Sequence, residues 1–487
     1  MGNGLHQRWG ESERKLRRGG AGEIEFLGRR PRLQLKAGDT PVATDQSAVG
    51  DPPRRAAGCD DRGLTRMFLT LRSAPDGIIP MKSPSNFPIR AITTIAVFVL
   101  SLAAVSATTT DVIFSCEEDE GEYADTDLET DSAGNIYGTT VLGGDFGSGT
   151  VFKLSPTPTG WVQTVLYSFT SGADGGEPYK GVTVDRAGNL YGTAVTGGSG
   201  SCEGGCGVAY KLTNSGGTWT QTVIHAFTGG DDGSGPGARV TLDRSGNVYG
   251  MAPTGGAFGL GTIYKIHQEH NGTWNLTVIH AFTGGADGAS GSAGRMVLRY
   301  GRLFGAATSG GTYGSGVVFE LRLAGGGEWN FRTIYSFTGQ PDGSFPYGAL
   351  LFDRVGNIYG TTYYGGANGI GSVYQLSPRA IGEWNESVLY SFQEGSDGNS
   401  PISNLVDDGV GNLYGTTSEG GLGSGTIFKL SPIGGGQWME TVVHTFEGPP
   451  DGAFAYNGMV VDRFGNFYGA TVHGGDNDDG AVYKFTP

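Results

Sequence analysis

The stretch GVTVDRAGNLYGTAVTGG (residues 181–198), continued by GVAYKL (207–212) and WTQTVIHAFTGGDDG (219–233), is one copy of a unit that recurs along the chain. It divides into four short strands. Strand a covers 181–185, with Val182 and Val184 alternating. DRAGN follows as a turn in which Asp and Asn can hydrogen-bond local backbone and Gly188 can take positive φ. Strand b is 190–194, a Gly197-Gly198 turn leads to strand c at 207–212, and strand d is 219–227. Across the units strand d is rich in Val, Ile, Tyr and Phe, with apolar side chains on both faces, as expected where sheets stack on either side.

The unit's most regular mark is Tyr-Gly, once Phe-Gly, beginning at Tyr137, Tyr191, Tyr249, Phe304, Tyr359, Tyr414 and Tyr468. Four strands in roughly 55 residues is the size of a propeller blade, and four to eight such blades close a ring. A β-helix coil would be much shorter, and an open solenoid would need polar capping units at its ends. The chain is therefore expected to be all-β: a seven-bladed β-propeller with four antiparallel strands per blade. The last unit stops after its strand c, at 480–485, and a lone strand-d match, DVIFS, stands before the first unit at 111–115. That N-terminal strand is expected to complete the last blade by pairing around Tyr483. Such sharing removes the unpaired edges that promote aggregation.

Composition agrees with this reading. Gly supplies 90 of the 487 residues and charged residues only 17%. Short strands joined by tight turns need Gly for backbone of positive φ. The net charge is −15, and its negative part lies in residues 108–487, whereas residues 1–80 are net positive. An acidic body repels phosphate backbones, so nucleic acid is not expected as a partner.

Residues 81–107 read as a secretory signal peptide. Lys82 and Arg90 precede an apolar run at 91–105, and small residues end at Ala107, the expected cleavage point. Fifteen helical residues reach only about 22 Å, short of the roughly 30 Å bilayer core, so a membrane anchor is the weaker reading. The preceding 80 residues are either an over-extended gene model, with translation starting at Met81, or a disordered leader. Residues 108–487 form one expected domain, secreted or periplasmic.

The runs GTVFKLSP, TVLYSFT and VDRAGNLYGTT resemble the GloVer tandem-repeat family of extracellular bacterial proteins, over roughly residues 111–487. The D-x-x-G-N-x-Y turn is also similar to that of NHL-type propellers. The family resemblance implies a secreted or surface-displayed protein. The chain ends at VYKFTP without a hydrophobic tail, so release or periplasmic residence is expected over anchoring.

Candidate sites are weighed against the repeat. Asp174, Asp232, Asp287, Asp342, Asp397 and Asp451, with Glu120 in the first unit, stand in the connection between strand d and the next strand a. They are expected on one face, as an acidic crown at the channel mouth. Such a crown could attract Ca²⁺ or a cationic ligand, or Asp-Gly could simply form a turn in each blade. Trp161, Trp219, Trp274, Trp329, Trp384 and Trp438 open strand d, as sugar platforms or as blade-edge packing. His225, His280 and His444 alternate with Tyr at one position, which marks packing instead of catalysis. Cys202 and Cys206 are expected to form a small-loop disulfide, leaving Cys116 buried and free. No catalytic residue and no metal site is assigned.

The fourth unit departs from the pattern: MVLRYGRLFG loses the Asp and Asn of its a–b turn and brings Arg295, Arg299 and Arg302. The expected function is that of a non-enzymatic, monomeric binding or scaffold protein for an extracellular glycan, ion or surface protein. The alternative is an extracellular polysaccharide hydrolase or lyase, whose paired carboxylates should set one blade apart from the others.

Overall fold

The computed structural model describes residues 108–487, Ala293 and Glu394 excepted; the stretches 1–80 and 81–107 lie outside the described residues. Seven antiparallel four-stranded blades succeed one another along the chain; six take their strands in sequence order, and the seventh takes its outer strand from the N-terminus. In blade 2 these are Thr183–Val184, Leu190–Ala194, Val208–Ser215 and Thr218–Ala226. Blades 4 and 5 each carry one further short strand, Ala289–Gly291 and Ser344–Pro346. Among the described residues no helix is long and apolar enough to cross a membrane.

Strand a is shorter than its sequence suggests, because its first residues bond sideways between blades. The Gly181 N–H donates to Thr139 Oγ1 and the Lys180 N–H to the Asp125 carbonyl, both in blade 1. These residues line the axis and do not extend the blade's own ladder. Each blade also enters its innermost segment through one residue in the left-handed region, such as Glu177 (φ 54°), Phe345 (φ 57°) and Phe454 (φ 58°). Non-glycine residues reach that region only when their surroundings hold them there. Here the N–H of each donates to a b–c loop carbonyl of the preceding blade: Ser148, Ser315 and Ser424.

The ring closes through the N-terminal strand. Thr109–Ser115, two residues longer than the sequence motif, pairs antiparallel with Ala481–Thr486, and Val112 faces Tyr483. Its register shifts at Ile113, the place where strand d in the other blades skips Leu166, Ile224, Ile279, Ile334, Leu389 or Val443. The N-terminal segment is thus a strand d in detail, bulge included.

The Tyr-Gly mark has a packing cause. A Cβ on Gly192 would lie 2.4 Å from the Tyr210 hydroxyl, and one on Gly138 would lie 2.5 Å from Phe152 Cζ. In every blade an aromatic ring of strand c crosses the glycine of strand b, so any side chain there would collide with it. The core is accordingly not central. Seven apolar clusters lie one at each junction between blades, as where Tyr137, Val151 and Phe169 of blade 1 meet Val182, Leu190 and Tyr210 of blade 2.

Candidate functional site

The crown carboxylates turn back onto their own blades. Asp174 accepts from Tyr167 Oη at 2.9 Å and from the Thr170 N–H at 3.0 Å. Asp342 and Asp397 repeat this with Tyr335 and Tyr390. Asp232, Asp287 and Asp451 take His225, His280 and His444 in the same place, at 2.9, 2.9 and 3.1 Å. Tyr and His interchange because each can present a donor to the same carboxylate. At His280 burial depresses the imidazole pKa more than the hydrogen bond and charge of Asp287 restore it. Glu120 meets blade 1 through its carbonyl, which accepts from Thr150 Oγ1 and Gln163 Nε2. Among the described residues no three His, Cys, Asp or Glu side chains are grouped to hold a metal ion.

Two neighbouring acids sharpen this picture. Glu386 faces Asp342 and Glu440 faces Asp397, and burial with that negative neighbour pushes both glutamates up to about 7. Blades 1 and 2 carry Gln163 and Gln221 at the same place, whose amides donate to the Glu120 and Asp174 carbonyls.

The tryptophans pack between blades. Trp161 meets the edge of Tyr468 at 5.7 Å, Trp274 that of Tyr191 at 6.4 Å and Trp329 that of Tyr249 at 5.9 Å. Cys202 and Cys206 are joined (S–S 2.06 Å) and hold the blade 2 b–c loop beside Ser234. Cys116 is buried and free, its thiol pushed up to about 12 by burial and by Asp479, Glu120 and Glu122. At neutral pH it is a thiol and not a thiolate nucleophile.

Two features were not singled out in the sequence. The first is a set of rings at the tips of b–c loops. Phe146 in blade 1, Phe258 in blade 3 and Tyr313 in blade 4 occupy one loop position and are 60%, 60% and 62% exposed. Their turns are held by Gly147, Gly259 and Gly314 N–H groups donating to Gly144, Gly256 and Gly311 carbonyls. Open space surrounds each following glycine, so the rings stand free on the face that also carries the d–a connections.

The second lies in the innermost segments, where the seven units stop resembling one another. One channel position reads Asp127, Gly181, Arg239, Arg295, Ala349, Asn404 and Gly458 in blade order. Lys180 Nζ donates to Asp125 Oδ1 and, at 2.8 Å, to Asn457 Oδ1, and Asn457 Nδ2 returns to Asp125 Oδ1 at 2.7 Å. Lys180 is 5% exposed. Burial opposes its charge, but Asp125 and Tyr347 outweigh that and hold its pKa above the ordinary value. Arg239 reaches across blade 2 to pair with Glu129, and donates also to the Leu128 carbonyl and Thr183 Oγ1 at 3.2 Å each. Asn404 donates to Asp127 at 3.3 Å and accepts from the Ala349 N–H at 3.2 Å. Burial raises the Asp127 pKa against the pull of Arg239, Lys180 and Arg295. A Cβ on Gly181 would lie 2.1 Å from the Asp127 carbonyl oxygen, so glycine there is a condition of this closeness.

A closed seven-bladed β-propeller with a polar, asymmetric channel and aromatic loop tips on one face is the class that these features define. The chain belongs to the Gloeobacter/Verrucomicrobia repeat family, which it matches over residues 96–297 and 299–487. Among solved structures it is similar to a Lactobacillus plantarum protein at 15% identity and TM-score 0.45, covering 72% of this chain and 87% of that one. A Dyadobacter fermentans protein of unknown function matches at 11% identity and TM-score 0.38, covering 69% and 98%. A putative oxidoreductase (glucose dehydrogenase) from Thermus thermophilus matches at 13% identity and TM-score 0.39, covering 78% and 100%. No curated protein matches the chain.

Proposed function

We propose that this protein is a secreted, non-enzymatic glycan-binding propeller whose ligand lies across the face of the b–c loops. The observation that carries the reading is the shared position and matching exposure of Phe146, Phe258 and Tyr313. Large rings at the surface leave apolar area in water, and the repeat does not require them: the corresponding residues elsewhere are Asn368, Leu422 and Asn477. A flat aromatic face suits the C–H face of a sugar ring, while the loops around it offer hydroxyl and amide groups. The backbone hydrogen bond that closes each of these turns lowers the ordering cost of binding. The Cys202–Cys206 bridge fits an oxidising, extracytoplasmic compartment.

One observation favours the alternative, a polysaccharide hydrolase or lyase. Asp125, Asp127 and Glu129 belong to blade 1 alone. Their carboxylates are engaged, however, with Lys180, Asn404 and Arg239, and so are not poised as a free acid–base pair. The test is a glycan array on the purified protein, with and without Ca²⁺, followed by incubation with any glycan bound. Binding without turnover is expected. It is expected to be independent of Ca²⁺, because the crown aspartates are engaged within their blades. Release of oligosaccharide products would replace this reading with the enzymatic one.

A further inference from the structure

Lys180 and Asn457 hold the same position in blades 2 and 7: each stands three residues after its blade's left-handed residue, Glu177 or Phe454. Blade 1 lies between them and contributes Asp125. The equivalent residues elsewhere include Thr126, Ala238, Gly348 and Ser403, so the blade itself does not require this trio. Lys180, Asn457 and Asp125 are 5%, 3% and 8% exposed. One carboxylate oxygen, Asp125 Oδ1, accepts from Lys180 Nζ and, at 2.7 Å, from Asn457 Nδ2. Nζ also lies 2.8 Å from Asn457 Oδ1, and so within about 4 Å of the amide carbon one C=O bond beyond it. An amine, a carboxamide carbon and a carboxylate that touches both nitrogens are thus enclosed together away from water.

We propose that this trio forms an amide bond between the Lys180 and Asn457 side chains, with Asp125 carrying the protons. Before the bond forms, burial works against the ammonium and Asp125 holds it in its charged form. Passing one proton along that hydrogen bond neutralises both partners at once, the direction that burial favours. The neutral amine then attacks Asn457 Cγ: the Nζ–Cγ bond forms and the C=O pair moves to Oδ1. Asp125 gives its proton to Nδ2 and takes another from Nζ. The carbonyl re-forms, the Cγ–Nδ2 bond breaks and ammonia leaves, with Asp125 protonated. The exchange is redox-neutral and consumes nothing else. Enclosure holds the amine against its target at high effective concentration and keeps water from competing. The bond joins residues 277 positions apart and turns blades 2 to 7 into one covalent loop that spans blade 1. It thereby backs the non-covalent closure between Thr109–Ser115 and Ala481–Thr486. A cross-link between distant residues stabilises mainly by restricting the unfolded chain. This site is independent of the aromatic loop tips.

The test is mass spectrometry of the purified full chain with its disulfide reduced. The parent is expected to be about 17 Da lighter than its sequence, one ammonia having left. Its protease digest is expected to contain a branched peptide that joins Lys180 to Asn457. On a reducing, denaturing gel the looped parent is expected to run faster than Lys180→Arg, which keeps a positive charge for Asp125 but forms no such bond. Asp125→Asn lacks the proton carrier and is expected to keep its full mass. If either variant fails to fold, the mass and digest of the parent still decide. A parent at full mass, with Lys180 and Asn457 in separate linear peptides, would overturn the proposal. So would the same deficit confined to the peptide that holds Asn457 and Gly458, since it marks a cyclic imide closed by the Gly458 N–H. A branched peptide in Asp125→Asn would overturn the role given to Asp125.

Discussion

The molecule holds two sets of acids that a composition count cannot separate. Asp174, Asp232, Asp287, Asp342, Asp397 and Asp451 recur in six of the seven connections between blades, and each accepts from the Tyr or His seven residues before it. Asp125, Asp127 and Glu129 occur in blade 1 only, and their partners come from blades 2, 3, 6 and 7. The aromatic residues divide in the same way. The recurring tryptophans are half-buried against neighbouring blades, whereas Phe146, Phe258 and Tyr313 occur in three blades and stand in solvent. A position filled alike in each blade answers a demand of the blade. A position that varies, at the axis or at a loop tip, is released from that demand and can serve a ligand.

The comparison breaks most visibly at the seam, where one strand must behave as a repeat element without belonging to a unit. Deleting residues 109–115 strips blade 7 of its outer strand and exposes the edge at Ala481–Thr486. The melting temperature is expected to fall by about 10 °C or more, with oligomers in size-exclusion chromatography. An unchanged melting curve would contradict closure.

In the channel, Lys180→Met leaves Asp125 buried beside Asn457 without its cation. Removing one partner of a buried pair costs about 3–5 kcal/mol, measurable by denaturant unfolding. Adding Asp125→Leu is expected to recover part of that loss. A recurring acid should matter less. Asp287→Ala removes the acceptor of His280 and of the Thr283 N–H, which costs about 1–2 kcal/mol. That loss should be local to one blade in hydrogen exchange.

The smallest stability effect has the opposite sign. Glu386 and Glu440, raised from 4.5 to about 7, hold protons in the folded state that the unfolded chain has already released. Their contribution is present below about pH 4.5 and is lost as pH rises through 7. Glu386→Gln with Glu440→Gln copies blades 1 and 2 and removes the repulsion. The double variant is expected to melt higher than the parent at pH 8, by about 1 kcal/mol of stability. The gap should close by pH 5; His280, untouched by the change, destabilises both proteins alike on acidification.

The blade count, the four strands of each unit and the closing strand were legible in the sequence because seven copies average out local noise. Val182 and Val184 alternate, Gly192 follows Tyr191, and 111–115 reads as a strand d in isolation. The shortening of strand a was not legible, since the Gly181 and Lys180 N–H groups are claimed by blade 1 across the junction. The Asp-Gly pairs read as repeated turns or as a crown; that the carboxylates fold back on strand d is a three-dimensional fact. The channel was harder still. Asp127, Arg239, Arg295 and Asn404 are scattered over nearly 280 residues of sequence, and closure of the ring brings them together. Aligning the seven units by strand a, column by column, is the signal that isolates them. For the loop tips the signal was present in GGDFGSG, GGAFGLG and GGTYGSG, where an aromatic residue stands inside a glycine turn.

The division between repeating and varying positions is tested most directly by one variant carrying Phe146→Ala, Phe258→Ala and Tyr313→Ala, compared with the parent for retention by the glycans that the parent binds. Retention is expected to fall at least about tenfold while the melting temperature stays within about 2 °C, because these rings hold no blade together. Full retention by the triple variant would contradict the account, and so would loss of binding that merely follows a collapse in stability.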